Sequence, residues 1–288
     1  MHKSIVLLTL AAGTLFSQGT YAGYGNNSKS ADSSKKCGWN FSTNVRGGFF
    51  YSSLAYRFPE INSESAASFG ISSTLASGPK VSLEQTVGFK DLFKFSLSGS
   101  FSDLYIASPT GNLSIPRGYI ADTDGRFFVP FTINQASKMH LSIMAGFGWQ
   151  QTYIKPKVPA GVDTDDATIA KVKARYLFPI AGLFLDFCPS KKSYVNFGLS
   201  VFFPKVRLKN TSGANTTLVP AYLRIRRHGW KAEYEYRYKL SYCTALLARM
   251  EYKELNAFGG LLSSGSGQIR PYAIERIVSG SLGVSFSY

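Results

Sequence analysis

The residues of this chain with the clearest capacity for chemistry are charged, and they recur at every second position. Lys231, Glu233, Glu235, Arg237 and Lys239 alternate with Ala232, Tyr234, Tyr236 and Tyr238. Arg249, Glu251 and Lys253 alternate with Ala248, Met250 and Tyr252, and Arg224 and Arg226 alternate with Leu223 and Ile225. A period of two puts the charges on one face of an extended strand and the apolar side chains on the other. Charges in hydrocarbon are expensive, so in a membrane protein this face is predicted to line a lumen. Such a lining either neutralises itself as a salt-bridge ladder or gives a pore wall that favours anions. The set holds seven cations and three acids, so three pairs leave about four positive charges.

Other chemistry finds little support. Beyond the first residues the histidines are His140 and His228, and neither has an aspartate within two positions. His140 shares a face with Ser142 but lacks an evident Asn or Asp partner, so an inward polar pair is the simpler reading than a hydrolase. Asp122-Thr123-Asp124-Gly125 resembles part of a calcium loop without its later glutamate, and with the acids of 163–166 it reads as turn chemistry. Cys37, Cys188 and Cys243 show no zinc spacing. The expectation is a protein that is not an enzyme and holds neither metal nor cofactor.

The elements that must carry these residues read as strands throughout. Met139, Leu141, Ile143, Ala145, Phe147 and Trp149 oppose His140, Ser142, Met144, Gly146, Gly148 and Gln150. Val195, Phe197, Leu199, Val201 and Phe203 oppose Asn196, Gly198 and Ser200, and Phe93, Phe95, Leu97 and Phe101 oppose Lys94, Ser96, Ser98 and Ser100. No run of about 18 apolar residues follows the start of the chain, although its mean hydropathy is near neutral at −0.04 and it carries 22 Phe and 17 Tyr. Apolar content that alternates without becoming continuous predicts a transmembrane antiparallel up-and-down β-barrel. Ten strands are predicted, at 39–57, 81–89, 92–106, 126–134, 139–154, 169–187, 193–208, 219–240, 243–256 and 271–288. Long links at 58–80, 107–125, 155–168, 209–218 and 257–270 alternate with short ones, the pattern of external loops and periplasmic turns. A hinge at Gly78-Pro79-Lys80 or a turn at His228-Gly229 would raise the count to twelve. A phase slip at His228-Gly229 is better read as a β-bulge, because a hairpin there breaks the long–short alternation. The small inward residues Ser96, Ser98, Ser100, Gly146, Gly148, Gly198, Ser200, Gly283 and Ser285 suggest an open, water-filled lumen.

The two ends of the chain point to export. Lys3, the apolar run from Ser4 to Phe16 and Thr20-Tyr21-Ala22 read as a signal peptide over 1–22. The polar segment 23–38 reads as a flexible periplasmic tail before a barrel over 39–288. Leu282-Gly283-Val284-Ser285-Phe286-Ser287-Tyr288 resembles the C-terminal strand of Gram-negative outer-membrane proteins. The resemblance covers that strand alone. It implies insertion into the cell outer membrane, among lipopolysaccharide, through the barrel-assembly machinery.

The expected function is porin-like passive diffusion of small hydrophilic solutes, with a lean toward anions. The alternative is a surface adhesin or structural barrel whose basic rim, with Lys155, Lys157, Lys205, Arg207 and Lys209, binds polyanions. Lipopolysaccharide contact would explain the same residues. The formal charge of +15 fits either, and export argues against nucleic acid as a partner. All three cysteines fall at the predicted periplasmic rim, too far apart for easy pairing within one chain. Intermolecular disulfides to other envelope proteins are therefore expected.

Overall fold

A computed structural model describes residues 39–59, 68–89, 92–106, 118–134, 139–154, 172–210, 221–260, 262–264 and 267–288. The segments expected to be a signal peptide (1–22) and a tail (23–38, with Cys37) lie outside these described residues. The strands are β1 (Trp39–Pro59), β2 (Ser68–Phe89), β3 (Phe93–Asp103), β4 (Tyr105–Ile106), β5 (Gly118–Asn134), β6 (Met139–Ile154), β7 (Val172–Phe187), β8 (Ser193–Phe202) and β9 (Lys205–Asn210). They continue with β10 (Ala221–Leu223), β11 (Ile225–Lys239), β12 (Thr244–Phe258), β13 (Leu262–Ser264), β14 (Gly267–Ile269) and β15 (Tyr272–Ser287).

These strands form ten staves. β3 with β4, β8 with β9, and β10 with β11 are each one stave interrupted by a short irregularity. Each stave pairs antiparallel with the next, β15 returns to β1, and the wall closes without a free edge. β13 and β14 form a small hairpin outside the barrel. The short links at 90–92, 135–138, 188–192 and 240–243 lie at one rim with both ends of the described barrel, and the longer connections leave from the other.

Two predicted links are shorter than expected, because β2 starts at Ser68 and β5 at Gly118. Gly78 and Pro79 sit inside β2, opposite Phe50 and Phe49, and make no hinge. Proline lacks the N–H of a ladder bond, and the pairing to β3 and β4 skips these two positions. Gly78 fits because a Cβ there would lie 1.9 Å from the Asp103 carbonyl oxygen. The phase slip in the eighth stave is a bulge: Ile225 pairs with Phe258 but His228 with Asn256, so β11 carries one extra residue. Twelve staves are therefore not formed.

The outer wall is apolar. Phe49, Val81, Phe95, Phe147, Leu183, Phe197, Met250 and Leu282 are large and exposed around the circumference. A water-facing surface would not tolerate so continuous a patch; a lipid-facing one requires it. Aromatic rings border this belt. Trp39, Phe89, Phe93 and Phe127 run side by side near the short-turn rim, with successive centroids 5.0–5.9 Å apart. Phe101, Tyr119 and Tyr153 do so toward the other, at 5.7 and 5.5 Å. Together the closed wall, apolar belt and aromatic borders define a transmembrane β-barrel.

Candidate functional site

The lumen is the site the alternation pointed to, and its contents are now visible. Along β11, Glu233 and Glu235 are buried inward while Tyr234 and Tyr238 are exposed outward. Arg249 enters from β12 between them. One of its terminal nitrogens lies 2.7 Å from Glu233 and 2.9 Å from Glu251, and the other 3.3 Å from Glu84 and 3.4 Å from Glu235. Lys231 bridges Glu233 and Glu251 at 2.8 and 2.9 Å, and Arg237 holds Glu235 at 2.6 Å.

Residues from other staves complete the cluster. Arg46 of β1 spans Glu84 (2.8 Å) and Glu235 (2.9 Å). Arg126 of β5 spans Asp124 and Glu233, both at 2.7 Å, and Lys80 of β2 bonds Glu251 at 2.6 Å. Six cations thus meet five carboxylates, leaving one formal positive charge.

The expected surplus of about four is not there because only three of the seven expected cations, Lys231, Arg237 and Arg249, join the cluster, where they match Glu233, Glu235 and Glu251, and the other staves add three cations and two acids. Glu84 and Asp124 come from across the lumen. Asp124, read from sequence as turn chemistry, lies within β5, accepts from Ser98 at 2.8 Å and pairs with Arg126. The signal for these partners was the same period of two: Glu84 alternates with Leu83 and Gln85, and Arg126 with Gly125 and Phe127.

Four of the expected lumen residues stand apart from this cluster. Arg224 points outward, exposed, over the ring of Tyr222 at 5.7 Å, while Leu223 beside it is fully buried. The phase at Leu223 and Arg224 is thus the reverse of the expected one, while Ile225, exposed, keeps it, since the stave breaks at Arg224. Lys239 lies exposed at the short-turn rim over Tyr242, at 5.3 Å, where no lumen remains to line. The side chain of Arg226 lies outside the described residues. Lys253 faces inward, over Phe178 at 5.0 Å, and donates to Gln150 at 2.5 Å.

Above the charged layer, toward the long-loop rim, the lining becomes apolar. Leu54, Tyr56, Ala76, Leu104, Ile120, Ile154, Tyr176, Leu208, Leu223, Leu255 and Ala273 are buried together, and every stave contributes at least one of them. Glu275 is the one carboxylate among them. It is held by the hydroxyls of Tyr56 and Tyr176 and by Gln150 at 2.5 Å. Side chains with almost no exposure around the full circumference leave no water path at this level.

Two of the small inward residues, Gly148 and Gly198, and Gly229 beside the bulge, leave no open space. A Cβ on Gly148 would lie 2.4 Å from the ring of Phe178, one on Gly198 2.2 Å from Phe184, and one on Gly229 2.1 Å from Phe202. These glycines are sockets for inward aromatics of neighbouring staves. At Gly148 and Gly198 the expected open space is taken by large residues of the next stave, whereas Ser98, Ser100 and Ser200 do line a cavity. Within the charged layer a cavity of about 50 Å³ remains beside Lys80, Asp122, Lys231 and Lys253. That holds on the order of three to five waters.

The other named residues are quickly placed. His140 Nδ1 lies 3.2 Å from Thr132 Oγ1, and His228 Nε2 lies 3.3 Å from Asn256 Nδ2. Cys188 and Cys243 are half-buried at the short-turn rim, and the described residues contain no disulfide. Among the described residues no cluster of His, Cys, Asp or Glu is arranged to hold a metal.

A closed ten-stranded membrane barrel with a filled lumen is thus the class that fold and site define. The fold is shared with the outer membrane protease OmpT from Escherichia coli, at a TM-score of 0.55 and 7% identity over 86% of this chain and 97% of that one. The translocator domain of the autotransporter NalP from Neisseria meningitidis also matches (TM-score 0.38, 12% identity, 99% of this chain, 95% of that one). So does the outer membrane protein OprG from Pseudomonas aeruginosa (TM-score 0.36, 11% identity, 86% and 95%). No protein-family model matches the chain, and no curated protein matches its sequence. The common ground is the fold: this chain has the architecture of the Gram-negative outer-membrane β-barrels.

Proposed function

We propose that the protein resides in the outer membrane of a Gram-negative cell as a closed barrel. Its work is done at the cell surface by what the staves carry, and not by solute passage through the lumen. The observation that supports this is the pair of filled layers: the ion-pair cluster around Arg249 and the apolar layer built from all ten staves. Opening a path would unpair buried charges and expose apolar side chains at once, and each carries a large free-energy penalty. Five of the nine connections between staves are long in sequence and join strand ends at one rim, which gives that rim more residues to bind with. The proposal gives the lumen no catalytic role. A structural or adhesive barrel is therefore favoured over a passive pore.

The test is swelling of vesicles that contain the refolded protein in isotonic small sugars or amino acids. The expected rate is that of protein-free vesicles; rapid swelling overturns the proposal. A gated channel is the second reading, favoured by the cavity of about 50 Å³ in the charged layer. It requires the apolar layer to part, so removing bulk there, as in Tyr176→Ala with Leu255→Ala, would then produce flux.

A further inference from the structure

Toward the long-loop rim the outer wall changes character on three neighbouring staves. On β7 the outward odd positions from Leu177 to Phe187 form the lipid-facing run, and its 11 residues match the roughly 9–11 needed to cross the hydrocarbon. One and two pleats further, the outward residues are Arg175 and Lys173, while Val172, Ala174 and Tyr176 between them are buried inside. β9 repeats the inversion: Lys205, Arg207 and Lys209 are outward, Val206 and Leu208 buried. β10 and its end add Tyr222 and Arg224 around buried Leu223. Six cations therefore share one patch at the level where the apolar belt ends, which is the level of lipid headgroups.

The patch is not neutralised by its own wall. Arg175 lies directly opposite Arg207, and Lys173 opposite Lys209, across one ladder. Like charges so placed repel, at a spacing of about 5 Å. β6, β9 and β10 contain no acidic residue, and the one acid of β7, Asp186, is at the far end, bonded to Tyr194 and Asn196. Among the described residues none of the six cations forms a salt bridge. Arg207 Nε is buried without a hydrogen-bond partner, and its guanidinium lies over Tyr222 at 5.1 Å. Arg175 is oriented by Gln151 at 3.2 Å, which leaves the rest of its fork free to face outward.

We propose that this patch binds the phosphate groups of a phosphorylated lipid of the outer leaflet. Guanidinium forks donate bidentately to phosphate oxygens, and paired like charges are stabilised by an anion between them. A lipid is chosen over a soluble polyanion because the patch is continuous below with Leu177, Val201 and Phe203, all exposed, along which acyl chains can lie. The inference rests on the placement of the barrel in an outer membrane with its long-loop rim outside. It does not depend on whether the lumen conducts.

The experiment is native mass spectrometry of the full-length mature protein in detergent micelles, titrated with bisphosphorylated lipid A, with its dephosphorylated form and with inorganic pyrophosphate. Retention of the bisphosphorylated lipid is expected, with binding at least about 10-fold weaker for the dephosphorylated form and for Arg175→Gln with Arg207→Gln. The same substitution at Arg276, exposed on another stave, is expected to leave binding unchanged. Heat-modifiable mobility reports that each variant is folded, and the milder pair Lys205→Gln with Lys209→Gln serves should the arginine pair fail to fold. Equal binding by folded variants, equal binding of the dephosphorylated lipid, or pyrophosphate binding as tightly as the lipid each overturns the proposal. Loss of lipid binding with a silent lumen sinks this inference alone, and flux with intact lipid binding sinks only the closed-barrel reading.

Discussion

Two arginines of the charged layer test whether the lumen is held by pairing or merely filled. Arg249 touches four carboxylates, yet each of them keeps another cation when it is removed: Glu84 keeps Arg46, Glu233 keeps Arg126 and Lys231, Glu235 keeps Arg46 and Arg237, and Glu251 keeps Lys80 and Lys231. Arg126 touches only two, but Asp124 then keeps Ser98 alone. Breaking a buried pair costs about 3–5 kcal/mol because a charge is left uncompensated. Arg249→Leu is therefore expected near the lower value, about 3 kcal/mol, and Arg126→Leu near the upper, about 5 kcal/mol. The difference of about 2 kcal/mol is roughly 30-fold in the unfolding equilibrium. Replacing Asp124 with Leu as well should recover much of the Arg126→Leu loss, since the stranded charge goes with it. Urea unfolding of the refolded barrel in phosphatidylcholine vesicles, read by tryptophan fluorescence, measures all three. Arg249→Leu costing as much as Arg126→Leu or more, or no recovery in the double variant, would refute the reasoning.

Three further outcomes are expected. Gly198→Val should destabilise the barrel by about 1–3 kcal/mol, since its Cβ would lie 2.2 Å from the Phe184 ring; paired with Phe184→Ala it should cost less than the sum of the two single changes. Deleting Phe286 to Tyr288 should impair insertion, because Phe286 pairs with Thr43 and Thr244 where the barrel closes, and Tyr288 donates to the Phe41 carbonyl at 3.0 Å; the proportion of heat-modifiable protein in the membrane fraction reports it. Cells lysed with a thiol-blocking agent should show, on non-reducing gels, higher-mass species that collapse on reduction, since Cys188 and Cys243 share the short-turn rim; monomer with blocked thiols would end the idea of a cross-linked envelope.

Much of the fold was legible because alternation is a local property. The ladders from Met139 to Gln150 and from Asn196 to Phe203 assigned inside and outside correctly, although Val195, expected outward, is buried, and the bulge near His228 followed from a phase slip within a single segment. What was not legible is pairwise across the barrel. Seven cations on three segments looked like a surplus because Arg224 and Lys239, which lie outside the lumen, were counted in it, and the partners Glu84 and Asp124 on other staves were not visible. Gly148 and Gly198 looked like space until Phe178 and Phe184 filled it. Arg224 was misassigned because the alternation of the eighth stave was carried across a break. The pattern inversion that closes the upper lumen was readable in Val172-Lys173-Ala174-Arg175-Tyr176. There the apolar positions continue the inward phase of Phe178 and Ile180, and the charges continue the outward phase of Leu177.

The central claim is a lumen closed by two layers, and current through single refolded barrels in a planar bilayer tests it most directly. A flat baseline is expected in 1 M salt at moderate voltage, with insertion verified by heat-modifiable mobility of the same preparation. Discrete, reproducible conductance steps from the unmodified protein would contradict the account.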